Sequence, residues 1–545
     1  MTRIGIYGWG LVAPRSPNVD AFARNLEQTG TWLEPFHGFG PDTFLVGRPR
    51  FSLDAYREWI DARFPPNRFP QLAEKMDPTV QYAIGAFIQA LSQNQGLERE
   101  LQALGPEAHV YIGTGLGCLP TLHRESIALH RAQRRWDRFW SQPERNAELA
   151  RHLELPEEER RRREEELGAP PAPERDETGE RDSAEEAWWH FWAARSERLR
   201  EYLDELREIE GLTVAGTVQT AKMAVMKEKR RRYARLQQKW QAPEPPWRAV
   251  SANMVWNIAN IPAAQVSMLG GITGFAFAPV AACSTFGVAL KLAIDAIRSG
   301  QAKAVVVGAT DPPPHPLIVG GFYNARVISA DAAVSKPLSE LRGTHVAGGS
   351  VVWIVGDHDH MSARGFRPLG MEPLAVGVTS DADHIITPSN EGPAAAVRRA
   401  LAEAGVDPAS LATWDLHATA TPGDYTEVET LKSVVQGPVL ITARKGIHGH
   451  GMSAAGGWEL TAQYLGYERG HLFPTPLAEE ELNPEIARLH REFVFDTSCP
   501  APAGLAGKLS MGVGGINACV LSRPWPEAAA AGSTAAPTPD RRGAA

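Results

Sequence analysis

Cysteine is scarce: four in 545 residues, Cys118, Cys283, Cys499 and Cys519, scattered without metal-ligand spacing. That excludes a disulfide framework and a zinc cluster, and it predicts a reduced, cytoplasmic chain. There is no run of ~18 apolar residues to span a membrane. The opening Met-Thr-Arg-Ile-Gly-Ile-Tyr-Gly lacks the charged start and apolar run of a signal peptide and predicts a first strand instead. Excess positive charge is also missing. The net charge is −8, which gives no bulk attraction to nucleic acid or to anionic membrane. The cluster Gly113-Thr-Gly-Leu-Gly117 lacks dinucleotide-loop spacing, and no acid follows at the required distance.

What remains is ordinary soluble composition, 43% hydrophobic and 22% charged, long enough for several domains. Strand and helix patterns alternate along most of the chain, which implies a parallel-rich α/β sheet layered with helices. The pattern predicts strands over 3–7, 109–113, 304–308, 351–355, 414–417 and 439–442, and a Gly turn plus strand over 509–521. It predicts helices over 18–28, 78–95, 394–405, 425–435 and 454–467. An apolar helix over 251–268 would be broken at Pro262, and 310–348 reads as a Pro- and Gly-rich loop.

Between about 119 and 244 the composition changes abruptly. Arg and Glu dominate, as in Glu157-Glu-Glu-Arg-Arg-Arg-Arg-Glu-Glu-Glu166, and Pro170, Pro171 and Pro173 divide the segment. This reads as a helical insertion with Trp136, Trp140, Trp188, Trp189, Trp192 and Trp240 as an apolar seam. A solvated decoration is the bland reading. A docking surface for a carrier or other partner, with the basic run Lys227-Glu-Lys-Arg-Arg-Arg232 receiving an acidic one, is the sharper one. The Ala-, Pro- and Thr-rich tail, 526–545, predicts disorder.

The chemistry gathers on three turns. In Pro279-Val-Ala-Ala-Cys283-Ser-Thr-Phe-Gly-Val, an apolar strand runs into a buried helix with Cys283 in its first positions, where unpaired N–H groups favour a thiolate. His417 ends the apolar run Trp414-Asp-Leu-His417 and opens a Thr- and Gly-rich loop. Lys445-Gly-Ile-His448-Gly-His450 precedes another buried helix. Singly, each is more often a structural residue. Cys, Lys and His on separate strand-to-helix turns of one α/β body point to nucleophilic chemistry.

On these motifs the chain resembles the β-ketoacyl synthase family, the 3-oxoacyl-[acyl-carrier-protein] synthases of the thiolase superfamily. The matching pieces are Ala282-Cys283-Ser-Thr, His417-Ala-Thr419-Ala-Thr421-Pro, Lys445 with Gly449-His450 and Ala454-Ala-Gly456, and Gly512-Val513-Gly514-Gly515-Ile-Asn517. Gly320-Gly-Phe322 and Pro388-Ser-Asn-Glu391-Gly392 add to them. The resemblance covers 1–118 and 245–525.

It implies a thiolase-like fold, a duplicated αβαβα layered sandwich. The N-terminal half would be 1–118 with 245–310, the insertion 119–244, and the C-terminal half 311–525. It further implies an acyltransferase in which Cys283 takes an acyl group from phosphopantetheine and condenses it with malonyl thioester after loss of CO2. By the same resemblance, His417 and His450 stabilise the enolate, and Cys283 and Val513 N–H groups hold the second oxyanion. Lys445 pairs with Glu391, and Thr419, Thr421, Phe322 and Gly514 shape the substrate channel. No metal or bound cofactor is implied. The implied partners are an acyl carrier protein and a second subunit, in a homodimer or a ketosynthase-like heterodimer.

Three departures stand out. Arg342-Gly-Thr-His345-Val-Ala-Gly348-Gly349 replaces a family stretch with two acids and an aromatic. Val513 stands where the family usually has a gating Phe, and Ala418 where Gly is usual. These favour a specialised polyketide or unusual-lipid enzyme over housekeeping elongation. The alternatives are a non-decarboxylating acyltransferase and a non-catalytic chain-length subunit. A degradative thiolase is disfavoured because its second cysteine is missing from the Gly512–Ala518 loop.

Overall fold

The computed structural model describes residues 2–40, 43–175, 179–213, 218–385 and 389–525. Pro388 and the 526–545 tail, expected to be disordered, lie outside the described residues. The chain divides into two compact units, 121–254 and the remainder.

The larger unit is built on two five-stranded sheets. Its strands are β1 (Ile4–Val12), β2 (Ala108–Gly113), β3 (Ala276–Phe277), β4 (Ala304–Asp311), β5 (Gly349–Asp357), β6 (Met371–Ser380), β7 (Leu411–Asp415), β8 (Leu440–Thr442), β9 (Leu505–Gly512) and β10 (Ile516–Pro524). The first sheet runs β1-β5-β4-β2-β3 and the second β6-β10-β9-β7-β8. In each, the first two pairings are antiparallel and the last two parallel. The two sheets therefore repeat one topology, a duplication with no visible sequence repeat.

Strand residues alternate between two apolar environments, which explains the continuous apolar runs. In β4, Val305 and Val307 face the middle of the molecule, while Ala304 and Val306 face the outer helix. In β10, Ala518 and Val520 join the middle cluster, while Cys519 and Leu521 join the outer one. Two helices fill the middle, Thr285–Arg298 and Ala455–Arg469, each touching strands of both sheets. Pro78–Ser92 covers the outer face of the first sheet, and Glu391–Ala404 that of the second. The result is five layers, α/β/α/β/α.

Three sequence expectations change. Strand β5 pairs with β1 and β4, so the second half begins near β6, at 371, and not at 311. Pro262 does not break a helix. It lies in the first turn of Ile261–Gly270, where its missing N–H costs nothing. The stretch 310–348 contains the helix Pro316–Asn324 as well as loop.

The smaller unit is helical, with helices such as Ala147–Leu153, Glu157–Leu167, Arg181–Ala193 and Glu197–Glu210. Its tryptophans form two clusters instead of one seam. Trp136 and Trp140 pack with Tyr202, while Trp188 and Trp192 pack with Leu149. The charged helix Glu157–Leu167 is held by one buried residue, Glu164, which meets His152 at 3.1 Å and Arg175.

Gly113 marks where fold and site meet. A Cβ there would lie 1.9 Å from the Pro279 carbonyl oxygen and 2.5 Å from Thr285 Cγ2, so only glycine lets β2 approach the cysteine turn. Gly113→Ala is therefore expected to cost about 1–3 kcal/mol of stability, as overpacking does. A chemical-denaturation midpoint equal to the parent's would contradict this close packing.

Candidate active site

Cys283 sits in a tight 3-10 turn, Ala282–Ser284, that leads directly into the buried helix Thr285–Arg298. Ala282 takes a left-handed backbone, φ 47°. Thr285 fastens the turn, its hydroxyl donating to the Ala282 carbonyl at 2.7 Å and accepting from Ala281 N–H at 3.0 Å. Ser284 fastens it to the β9–β10 hairpin, donating to Ser510 O at 3.0 Å and Ile516 O at 2.7 Å. That hairpin turns through Gly514 and Gly515, at φ 90° and 73°, values that disfavour side chains. The tie brings the Val513 N–H onto the cysteine sulfur, beside the N–H of Cys283 itself.

His450 Nε2 lies 3.1 Å from Cys283 Sγ. The rings of His417 and His450 meet edge to face, 5.2 Å apart. Beneath them is Lys445, whose ammonium bonds Glu459 at 2.6 Å, donates to the His417 carbonyl, and stands 3.5 Å from His417 Nδ1. An ammonium has no lone pair to offer, so His417 Nδ1 faces it as an acceptor and Nε2 carries the proton.

Burial controls the titration. It pushes the Cys283 thiol up to about 11, against the Lys445 charge and the Val513 N–H. The thiolate expected at a helix start is thus not the resting state, because loss of water outweighs the helix end. Burial and Lys445 hold His450 down to about 3 and His417 well below the usual imidazole value, so both rings are neutral. Two neutral N–H-bearing rings beside a buried nucleophile can stabilise charge where it develops and are poor bases.

A cavity of about 620 Å³ opens onto this cluster, lined among others by Cys283, His417, His450, Phe322, Thr419, Thr421 and Val513. The Thr419 and Thr421 hydroxyls are 3.0 Å apart on its wall. Val513 is 41% exposed, a small residue at the opening. Gly514 donates its N–H to Ile385 O at 2.7 Å.

The structure thus brings together Cys283, His417, Lys445, His450, Phe322, Thr419, Thr421 and Val513. Glu391 is not among them. It begins the outer helix Glu391–Ala404, where a carboxylate suits the positive helix end, and its side chain is 81% exposed and paired with Arg398. The acid beside Lys445 is Glu459, one turn into the middle helix that follows His450. Nor does the altered stretch at Arg342–Gly349 leave the lysine unpaired. There, Arg342 pairs with Asp331 and Glu340, and His345 accepts the Ser335 N–H at 2.8 Å. His448 is buried beside Trp458, away from the sulfur, with Nδ1 2.7 Å from Gly449 O.

Sequence reasoning missed the residues that hold the loops. Glu427 accepts the N–H groups of His417 and Ala418 at 2.6 and 2.8 Å. Asp424 accepts those of Thr419, Ala420 and Leu338 at 2.8, 3.1 and 2.8 Å. Asp311 accepts from Thr114, Gly115, Leu116 and Ser453. The available signal was a charged residue inside an apolar pattern: Glu459 in a buried helix, and Asp424 and Glu427 three apart at a helix start.

The β-ketoacyl synthase N-terminal domain model matches residues 207–357, and the C-terminal domain model 372–478. Nodulation protein E of a Rhizobium species is 29% identical over 50% of this chain and 72% of its own. The mitochondrial 3-oxoacyl-[acyl-carrier-protein] synthase of Arabidopsis thaliana is 31% identical over 48% of this chain and 59% of its own. A mitochondrial protein of Schizosaccharomyces pombe, provisionally named a 3-oxoacyl-[acyl-carrier-protein] synthase, is 30% identical over 50% and 67%. The chain thus spans less than two thirds of the Arabidopsis relative's length. Among solved structures, the ishigamide ketosynthase/chain length factor superposes with a TM-score of 0.64 at 17% identity, over 96% of this chain and 99% of that one. A type II polyketide ketosynthase solved in complex with its acyl carrier protein gives 0.62 at 16%, over 96% and 100%. These likenesses show the thiolase-like fold, and the sequence relatives show the family: the chain belongs to the β-ketoacyl synthases.

The thiol's position sets a pH dependence. Below about 11 the thiolate is the minor species, so Cys283 alkylation by iodoacetamide should accelerate about tenfold per pH unit between pH 7 and 10. Peptide-resolved mass spectrometry measures it. A rate already flat at pH 8 would mean that the sulfur rests as a thiolate.

Proposed function

We propose that the protein is a carrier-dependent condensing enzyme of polyketide or unusual-lipid synthesis, an acyltransferase of the 3-oxoacyl-[acyl-carrier-protein] synthase type. The observation that carries this is a cavity bounded by Cys283, His417 and His450 together, with His450 Nε2 3.1 Å from the sulfur. The cavity suits a phosphopantetheine arm, with the paired hydroxyls of Thr419 and Thr421 as its polar contacts. No resident metal or redox group is required by this chemistry.

The reaction balances as follows. The Cys283 sulfur attacks an acyl thioester and forms a new C–S bond. The pantetheine C–S bond breaks, and the thiol proton ends on the released pantetheine sulfur. A malonyl thioester then takes its place. Its C–COO⁻ bond breaks, CO2 leaves, and the electron pair spreads onto the thioester oxygen, where His417 and His450 N–H groups stabilise it. The resulting carbon attacks the acyl carbon. Its oxygen becomes an oxyanion facing the Cys283 and Val513 N–H groups, and collapse expels the cysteine thiolate, which takes a proton from solvent water. The product is a β-ketoacyl thioester two carbons longer. Lys445 stays an ammonium that orients His417.

Incubation with acyl carrier and malonyl carrier thioesters, followed by intact mass spectrometry, tests the reading. An adduct lost in Cys283→Ala and converted to a two-carbon-longer product is expected. A persistent adduct without CO2 release would favour a non-decarboxylating acyltransferase. No adduct from any acyl carrier would favour a non-catalytic chain-length subunit.

A dimer is supported by the free edge of the first sheet. Strand β3 has β2 as its neighbour, and Phe275, Val280 and Met268 around it are 60%, 63% and 50% exposed. An edge this apolar is a pairing surface. A second copy or a ketosynthase-like partner would cover it. Light scattering should give a dimer for the parent, alone or with that partner, and a monomer for Phe275→Glu. A monomeric parent under every condition would rule this out. The reduced cysteines favour the cytoplasm, and among the described residues no helix is long and apolar enough to cross a membrane.

A further inference from the structure

More charge lies beneath the site than the proposed reaction uses. Lys508 projects from β9, in register with Asp415 at the end of β7. Its ammonium lies 2.8 Å from Glu459 Oε2 and 3.6 Å from Asp415, and it donates to Leu416 O at 3.2 Å and Leu509 O at 2.6 Å. Asp415 also takes the Arg444 Nε at 3.0 Å and the Thr442 hydroxyl at 2.6 Å. All these charged side chains are essentially solvent-free, so their mutual interactions are screened far less than those of surface charges.

We propose that Lys508 is a positioning residue of the site: it shares the Glu459 carboxylate with Lys445 and so sets how much of the Lys445 charge reaches His417, His450 and Cys283. This rests on the condensing-enzyme reading for its role in the reaction, though not for its test.

Asp415 offsets Arg444. Glu459 alone would offset Lys445, and a neutral lysine–glutamate pair projects little field. With Lys508 on its second oxygen, the carboxylate is divided between two ammoniums, and the trio carries a net positive charge. The groups facing the two histidines and the sulfur are Lys445, Lys508, Glu459, Glu427, Asp424, Asp311 and His448. Glu427, Asp424 and Asp311 accept backbone N–H groups and bring negative charge of their own. Against that background the Lys508 charge favours neutral imidazoles over imidazoliums, and a thiolate when the sulfur is called on to leave. Strand β9 also links the two functions mechanically. It carries Lys508 and, two residues on, the Ser510 carbonyl that anchors the cysteine turn.

Iodoacetamide alkylation of Cys283 in the full-length protein, followed by peptide mass spectrometry across pH, needs no carrier or acyl group. Lys508→Met removes the charge and keeps the length, and Lys508→Arg keeps the charge. Lys508→Met is expected to slow alkylation at pH 9 by about three- to tenfold and move the profile up by about half to one pH unit, with Lys508→Arg staying near the parent. Should Lys508→Met not fold, Asp415→Asn decides, because removing a negative charge should accelerate alkylation instead. Unchanged profiles in Lys508→Met, or in Asp415→Asn where that variant decides, would overturn the proposal. So would a Lys508→Arg profile displaced as far as that of Lys508→Met. A protein that never forms an acyl adduct yet shows these shifts would sink the condensing-enzyme reading and leave the positioning role standing.

Discussion

The site depends on one buried ammonium. Lys445 is almost free of water, and a charge in that position persists only if it is compensated. Glu459 compensates it, and the two are supplied by adjoining segments, a short turn and the middle helix that follows. Because the pair is local in sequence, its geometry is fixed as soon as that helix docks between the sheets. The ammonium then uses its remaining hydrogens on His417, which arrives from β7. One ion pair thereby locks two strand ends together and selects the imidazole tautomer that presents N–H to the cavity. Removing Glu459 would leave uncompensated ammonium charge in the core, a loss of about 3–5 kcal/mol in comparable cases.

The duplication explains why the chemistry falls where it does. In the first half, β3 leads through a 3-10 turn into the helix Thr285–Arg298. In the second, β8 leads through Lys445–His448 and another 3-10 turn, Met452–Ala454, into Ala455–Arg469. Both turns contain a non-glycine residue with left-handed φ, Ala282 at 47° and Met452 at 49°. Cys283 and Ser453 occupy matching places. In one half the turn offers the nucleophile, while in the other the Ser453 N–H is consumed by Asp311 at 2.7 Å and His450, just upstream, reaches across to the sulfur. A single supersecondary unit, used twice, carries the proposed nucleophile in one half and the proposed charge stabiliser in the other.

This also shows what was legible in sequence. Cys283, His417, Lys445 and His450 were readable because each sits at a strand-to-helix junction, where periodicity changes and glycine gathers. The two halves were not readable as a repeat. Topology was duplicated, while the side chains filling each layer were chosen by different neighbours. Strand β6 went unpredicted because Met371-Glu-Pro-Leu-Ala-Val-Gly-Val mixes strand formers with Pro and Gly. Glu391 was misplaced for a related reason. Sequence gives no direction to a side chain at a helix start, and this one points outward. Its substitute, Glu459, was hidden among Trp458, Leu460 and Thr461, where a lone acid looks like an interruption of a core helix.

The high resting position of the thiol and the low positions of the histidines are one effect seen on two kinds of acid. Burial penalises whichever form is charged, so it raises Cys283 and lowers His417 and His450. The Lys445 charge works with burial at the histidines and against it at the cysteine. A site with burial alone would keep the imidazoles neutral but make the sulfur too poor a leaving group. A site with strong positive charge and solvent would hold a thiolate that water and oxidants could reach. The burial of the sulfur and the buried cations together permit a thiol that is protected at rest and a stabilised thiolate when it leaves, beside rings that can donate hydrogen bonds. That combination requires the cations to be compensated from below, within the core, leaving their field directed at the cavity. Glu459 beneath Lys445 supplies that compensation, and Lys508 on its second oxygen leaves the group positive towards the cavity.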